Sequence, residues 1–254
     1  MENRYPLFAG GRILKKESLW DLRDYAYESL KLQYADYTDG ILKGCRVHVE
    51  GQELVIGRGM LKYGDFICLM QEEAHVAYQG ANKLNILKAV FEKQNEHPDY
   101  LTYRVSFLLD EDAVLSQGQI EFCRFHLREG SLLRDTYKDF TDMSTEYDTI
   151  NLLHATIAGR RENRMHPQVL LKFAKEMQKH DKKNIENVAF CYHILQHSGE
   201  VEQEVVDAYL DVEQTEDNFR ETRAQRCFAM LENILKSQVN NQGVIQKRNV
   251  IFVE

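Results

Sequence analysis

The sequence predicts an α+β protein with an N-terminal helix, an antiparallel β-sandwich or barrel-like domain, and a C-terminal antiparallel helical bundle. Three observations predict it. Apolar residues recur at helical spacing before Asp39, with period two from there to about Leu127, and at helical spacing again after Gly130. Glycine-bearing turns punctuate residues 40–64, and connections between the late amphipathic stretches are short. The expected divisions are 1–38, an arm and helix; 39–145, a β-rich unit; and 146–254, helices with a tail.

The arm, residues 1–15, is irregular, with Tyr5, Leu7 and Phe8 as anchors. Ser18 is expected to cap a helix to about Tyr34, where Leu19, Leu22, Ala26 and Leu30 recur at helical spacing and Trp20, Tyr25 and Tyr27 add aromatic bulk. From Asp39, Cys45, Val47 and Val49 alternate with Arg46 and His48; Glu50-Gly51-Gln52 reads as a hairpin turn, and Leu54 and Ile56 continue the alternation. Phe66 to Met70 is an unbroken apolar run, expected as a strand buried on both faces. Residues 83–91 make another strand. Leu101, Tyr103, Val105, Phe107 and Leu109 share a face of the next, after a polar connection with Pro98. Cys123, Phe125 and Leu127 mark the last.

After Gly130 the chain turns polar. Thr145 with Asp148 fits a capping box ahead of TINLLHATIAG, residues 149–159. His166-Pro167 starts a helix with proline at its first position, carrying Val169, Leu170, Phe173, Ala174 and Met177. Ile185, Val188, Ala189, Tyr192 and Leu195 form a second stripe. Residues 201–213 make a third helix, and Thr215 opens a fourth, with Phe219, Cys227, Leu231, Ile234 and Leu235 inward. The closing VIQKRNVIFVE alternates weakly and is expected to dock as a strand.

Composition sets limits. A chain of 254 residues, 43% hydrophobic and 28% charged, has ample material for a core. The net charge of −8 argues against a broad nucleic-acid-binding face. The cysteines Cys45, Cys68, Cys123, Cys191 and Cys227 are scattered and odd in number, which reads as reduced intracellular thiols. No signal peptide is expected from the first twenty or so residues, which hold no long apolar run.

The chemical candidates have structural counterparts. A phosphate-cradling loop needs a lysine and a hydroxyl after its last glycine. Here Gly59-Met-Leu-Lys-Tyr-Gly64 is followed by Asp65, whose carboxylate repels phosphate. Gly40, Gly44, Gly57, Gly59, Gly64 and Gly130 are therefore read as turn or structural glycines. His193 and His197 lie four apart on one helix face, a spacing that can hold a metal, but Cys191 points elsewhere and no HExxH is present. The acids from Glu200 to Glu221 alternate with apolar residues, as on the solvated faces of helices. Arg160, Arg161 and Arg164, with the lysines from Lys172 to Lys183, supply positive charge without the interleaved aromatics a nucleic-acid surface uses. No catalytic, cofactor-binding or metal residues are assigned, and no cofactor is expected.

The stretch from Asp39 resembles the attachment domain of phage tail-fibre and baseplate-associated proteins. Asp39-Gly40 and Gly44 match its first turn, and Ile56, Gly59 and Gly64 its hairpin. NKLNILKAVFEK with LTYRVSFLLDE is similar to its long central hairpin, and Phe122, Cys123, Arg124, Gly130 and Asp142 fall in register with its closing segment. The resemblance spans about residues 35–145. Arg124 stands where a small apolar residue is common, and Met143-Ser144 replaces the usual terminal arginine. It implies a non-enzymatic structural or adaptor protein that assembles as an oligomer with tail or baseplate proteins. It would be made in the cytoplasm, then built into a tail-like particle, with no membrane and no nucleic acid as partner. Tyr5, Phe8, Trp20 and Tyr27 are the interface candidates; burial in the chain's own core is the competing reading. Two rival classes remain: a hydrolase or metal-dependent enzyme with a site between the β and helical halves, using His126, His154 or the His193/His197 pair, and a nucleic-acid-associated protein.

Overall fold

The computed structural model describes residues 6–11, 13–80, 82–93, 102–180, 183–212 and 222–248. Helix α1 (Lys16–Gln33) leads into nine strands: β1 (Gly40–Gly44), β2 (Val47–Glu50), β3 (Glu53–Ile56), β4 (Gly59–Tyr63), β5 (Phe66–Met70), β6 (Ala74–Ala77), β7 (Leu84–Lys93), β8 (Tyr103–Asp110) and β9 (Gln119–His126). A 3-10 turn (Thr141–Ser144) precedes α2 (Pro167–His180), α3 (Ile185–Gln196), α4 (Gln203–Leu210) and α5 (Arg223–Arg248). The protein is thus an α+β fold with an N-terminal helix, antiparallel sheets and C-terminal helices.

The strands form three antiparallel sheets, ordered β1-β4-β5, β2-β3-β6 and β8-β7-β9. Both tight hairpins close on glycines at positive φ, the backbone that matches the twist of the flanking strands. Gly51 (φ 60°) sits between the paired Glu50 and Glu53, and Gly64 (φ 56°) between Tyr63 and Phe66. The chain passes from β3 to β4 without a hairpin, because those strands belong to different sheets. β7 is the hub of the third sheet, pairing along its length with β8 and β9. A register shift opposite Leu87 and Lys88 places buried Lys88 against buried Glu121.

Five sequence expectations change. On α3 the buried face is Asn187, Phe190, Cys191 and Ile194, while Ile185, Ala189 and Tyr192 of the expected stripe are exposed. α1 starts at Lys16 with Lys15 as its N-cap and no side-chain cap, so Ser18 lies inside the helix. β5 is half-buried, with Leu69 exposed, because it ends its sheet and has a neighbour on one side only. Residues 149–159 do not form a helix. Asp148, read as part of a capping box, instead accepts the Arg128 amide at 3.0 Å and pairs with the Arg128 guanidinium. The Asn151 carboxamide bonds Ser144 O at 3.1 Å and Leu153 N at 2.9 Å. Those local bonds hold the segment extended. Residues 244–248 lie within α5, not in a strand. The remainder of that tail, and Thr215, Phe219, Leu101, Pro98 and Tyr5, lie outside the described residues.

The extended segment 145–166 laces the halves together. Tyr147 and Asn151 bridge to β9, and Ile157 bridges to Ile41 of β1 and to Arg164. Apolar side chains then run as one cluster from Leu61 and Leu87 through Phe122, Phe140 and Ile157 to Phe173 and Leu231. α2 packs on α3 and α5, and α4 on α5. Asn184 caps α3, its side chain accepting from Glu186 N and Asn187 N.

Candidate functional site

Helix α1 has no buried residue. Half of the exposed large hydrophobic side chains among the described residues lie between Leu7 and Leu32. Phe8, Trp20 and Tyr27 are 59%, 44% and 64% exposed. At about 100° per residue, Trp20 and Tyr27 share one face, Leu22, Tyr25 and Leu32 lie nearly opposite, and Leu19, Ala26 and Leu30 fall between. The sequence stripe Leu19-Leu22-Ala26-Leu30 therefore does not face a core; α1 touches β5 lightly and leaves Leu19 and Leu22 in solvent.

Local contacts on α1 leave its apolar side chains uncovered. Lys16 Nζ sits 4.4 Å from the centroid of the Trp20 ring, and Lys31 pairs with Glu28 at 3.0 Å. Both pairs are solvent-exposed and screened by water. A large apolar side chain moved from water into an interface contributes about 1.5–3 kcal/mol. Phe8, Trp20 and Tyr27 are the expected interface candidates; Ile13, Leu14, Tyr25 and Leu32 are exposed beside them and are not among those candidates. The available signal was apolar residues on every face of a charge-rich helix, more than one partner surface can absorb.

The glycine-rich stretch is occupied by pairing. The backbone of β4 is flanked by β1 on one side and β5 on the other. Gly64 N–H donates to Asp39 Oδ1 at 2.7 Å. Gly59 faces Gly44 across the β1–β4 pair, and a Cβ on Gly59 would collide with the Lys43 carbonyl and the Cys45 amide. Gly40 (φ 145°) passes close to Thr156 and Ala158, Gly57 links β3 to β4, and Gly130 (φ 76°) lies in a turn.

His193 and His197 bring their rings within 4.4 Å at the end of α3, where the His197 ring nitrogen faces the His193 carbonyl. Among the described residues, no group of three or more His, Cys, Asp or Glu side chains is placed to hold a metal ion. None of the five cysteines forms a disulfide, and burial pushes Cys45 up to about 12 and Cys227 up to about 11.

A cavity of about 430 Å³ lies between β9 and the helices. Arg124 binds Glu121 in a bidentate pair, Nε to Oε1 and Nη2 to Oε2 both at 2.7 Å. Arg223 pairs with Glu162 and Asp207, and Arg164 Nε donates to Ala158 O at 2.7 Å. Each of these guanidinium groups is thus already matched. His126 Nε2 and His154 Nε2 approach opposite oxygens of Glu146 at 3.8 and 3.9 Å, too long for hydrogen bonds. Burial, with the Arg124 charge, pushes the His154 imidazole down to about 4, so it is neutral at pH 7. Among the described residues its buried Nε2 has no hydrogen-bond partner.

The acidic run is less solvated than its pattern implies. Asp207 is buried and accepts from Gln203 at 3.0 Å, and Glu202 accepts from the Arg160 amide at 2.9 Å. Residues 213–221 lie outside the described residues. Arg164 is buried as well, so the basic cluster turns partly inward. Among the described residues, no helix is long and apolar enough to cross a membrane.

No protein-family model matches the chain, and no curated protein matches it in sequence. Solved structures give partial likenesses. A crystal structure of TssK is 10% identical with a TM-score of 0.38, over 93% of this chain and 72% of that one. A TssK-TssF-TssG baseplate subcomplex of the type VI secretion system is 8% identical with a TM-score of 0.34, over 92% of this chain and all of that one. The type VI baseplate complex is 9% identical with a TM-score of 0.36, over 94% and 70%. At these scores function does not follow from the likeness.

Proposed function

We propose that this protein is a non-enzymatic structural or adaptor component of a phage-tail-like or contractile injection particle. It acts through protein–protein assembly, with the arm and α1 as its docking element. The observation that carries this reading is the helix without a buried residue, bearing Trp20 and Tyr27 on one face and Leu22 and Tyr25 on another. Holding such a helix in water has no structural return, whereas seating it in an apolar groove of a neighbouring subunit does. The particle class is the one implied by the resemblance of residues 35–145 to tail and baseplate attachment domains.

The partners on this reading are tail or baseplate proteins, and the chain self-associates within the particle. Neither membrane nor nucleic acid is required, and the protein joins the particle from the cytoplasm of the producing cell. The helices and β-rich unit divide near residue 145, with the segment that follows acting as their tether. Co-expression with tail and baseplate proteins tests the assignment: a stable subcomplex that includes this chain supports it. Purification with a stoichiometric nucleotide or zinc ion and no assembly partner would overturn it.

A further inference from the structure

Three strand edges meet around an open groove of about 570 Å³. β5 ends one sheet, β6 a second and β8 the third, and Leu69, Met70, Val76 and Phe107 are among the side chains lining it. Among the described residues, no backbone hydrogen bond reaches β5 or β6 from outside its own sheet. Natural sheets blunt such edges with lysine, proline, inward charge or a covering element. β5 reads Phe66-Ile67-Cys68-Leu69-Met70, with neither charge nor proline, and Leu69 is 59% exposed. α1 touches β5, with Lys31 facing Asp65 ahead of the strand, but no α1 residue lines the groove.

The chain itself carries a segment of matching chemistry. Residues 249–254, Asn-Val-Ile-Phe-Val-Glu, lie outside the described residues. Four consecutive β-branched or aromatic residues suit a pleated, half-buried surface. In sequence, Lys247 and Arg248 stand immediately before them, and the exposed acids Glu72 and Glu73 follow β5. A strand antiparallel to β5 brings those cations to those acids. The parallel direction would set Glu254 there instead. Leu235 is the last buried residue of α5 among those whose side chains are described, yet the helix backbone continues to Arg248. That is about 20 Å of helix beyond Leu235.

We propose that residues 249–254 of one copy add as an antiparallel strand along β5 in the groove of a second copy. The inference stands apart from the α1 reading, since it uses neither the arm nor α1. It is tested by sedimentation and amide hydrogen exchange on the full chain, a deletion of 249–254, the E72K/E73K variant, and that variant combined with K247E/R248E. The full chain should self-associate with protected amides at 66–70. The deletion should lose both properties, and a synthetic peptide of residues 245–254 should restore the protection. E72K/E73K should weaken association at least tenfold, and the combined charge swap should recover it. A deletion that still associates with β5 protected would overturn the proposal. So would a monomeric full chain, whether its β5 is open or covered by its own tail.

Discussion

Lys88 Nζ lies 2.8 Å from Asp110 Oδ2 and 3.1 Å from Val114 O, with 1% of the lysine side chain exposed. The buried ammonium is held by β8 and the loop beyond it. The Lys88 hydrogen bond, reinforced by the Asp112 amide, keeps the Asp110 carboxyl below its ordinary range. Removing the acceptor strands a buried charge, whereas removing the charge does not. Asp110→Ala should therefore destabilise by about 3 kcal/mol, and Lys88→Met by clearly less. Chemical denaturation of both variants checks the order; the reverse order contradicts this account of the sheet.

Phe140, between the β-rich and helical segments, stacks on Phe228 at 4.5 Å and meets Phe173 edge-on at 5.5 Å. Phe140→Ala should cost about 3–5 kcal/mol and lower the melting of strands and helices together. Two separated calorimetric transitions, with only the helical one moved, would show that the halves fold independently.

Acid should weaken the fold in two steps. The His154 and His166 imidazoles are held down to about 4, chiefly by burial, against about 6.5 in an unfolded chain. Between those values the unfolded state binds more protons, so stability rises with pH through the window and is fully present above it. His154→Gln should flatten the slope of unfolding free energy from pH 4 to 6.5. Asp142, held down to about 2 chiefly by Arg134, adds stability that is lost as pH falls from about 4 to 2; Arg134→Met should remove most of that lower step.

Gly59 has ordinary φ but no room, since Lys43 of β1 and Cys45 just beyond that strand occupy the Cβ position. Gly59→Ala should destabilise by about 1–3 kcal/mol, while Gly51→Ala, with open space around it, should lose only the turn preference of its positive φ. Equal losses at the two sites would show that close approach of β1 and β4 is not what selects glycine.

Much of this architecture is legible because period-two alternation and helical stripes are local signals. β7, β9 and α2 fall where their patterns place them, whereas α3 forms where expected but buries Phe190, Cys191 and Ile194 in place of the Ile185, Ala189 and Tyr192 stripe. What stays hidden depends on distant partners. Nothing near Thr145 announces that Asp148 will bind Arg128 and hold the following segment extended. Nothing in β3 and β4 tells that adjacent alternating runs enter different sheets. The exposure of α1 is hidden for the same reason: its Leu19-Leu22-Ala26-Leu30 spacing would fit a core-facing stripe, and only the fold shows that no core lies beneath it.

The most direct measurement combines stability and assembly in one variant, Phe8→Ser with Trp20→Ser and Tyr27→Ser. Because these side chains are exposed, denaturant unfolding should change by no more than about 0.5 kcal/mol per site, while co-purification with tail or baseplate proteins should be lost. Retained assembly, or a loss of several kcal/mol showing that the three aromatics serve the chain's own core, would contradict the account.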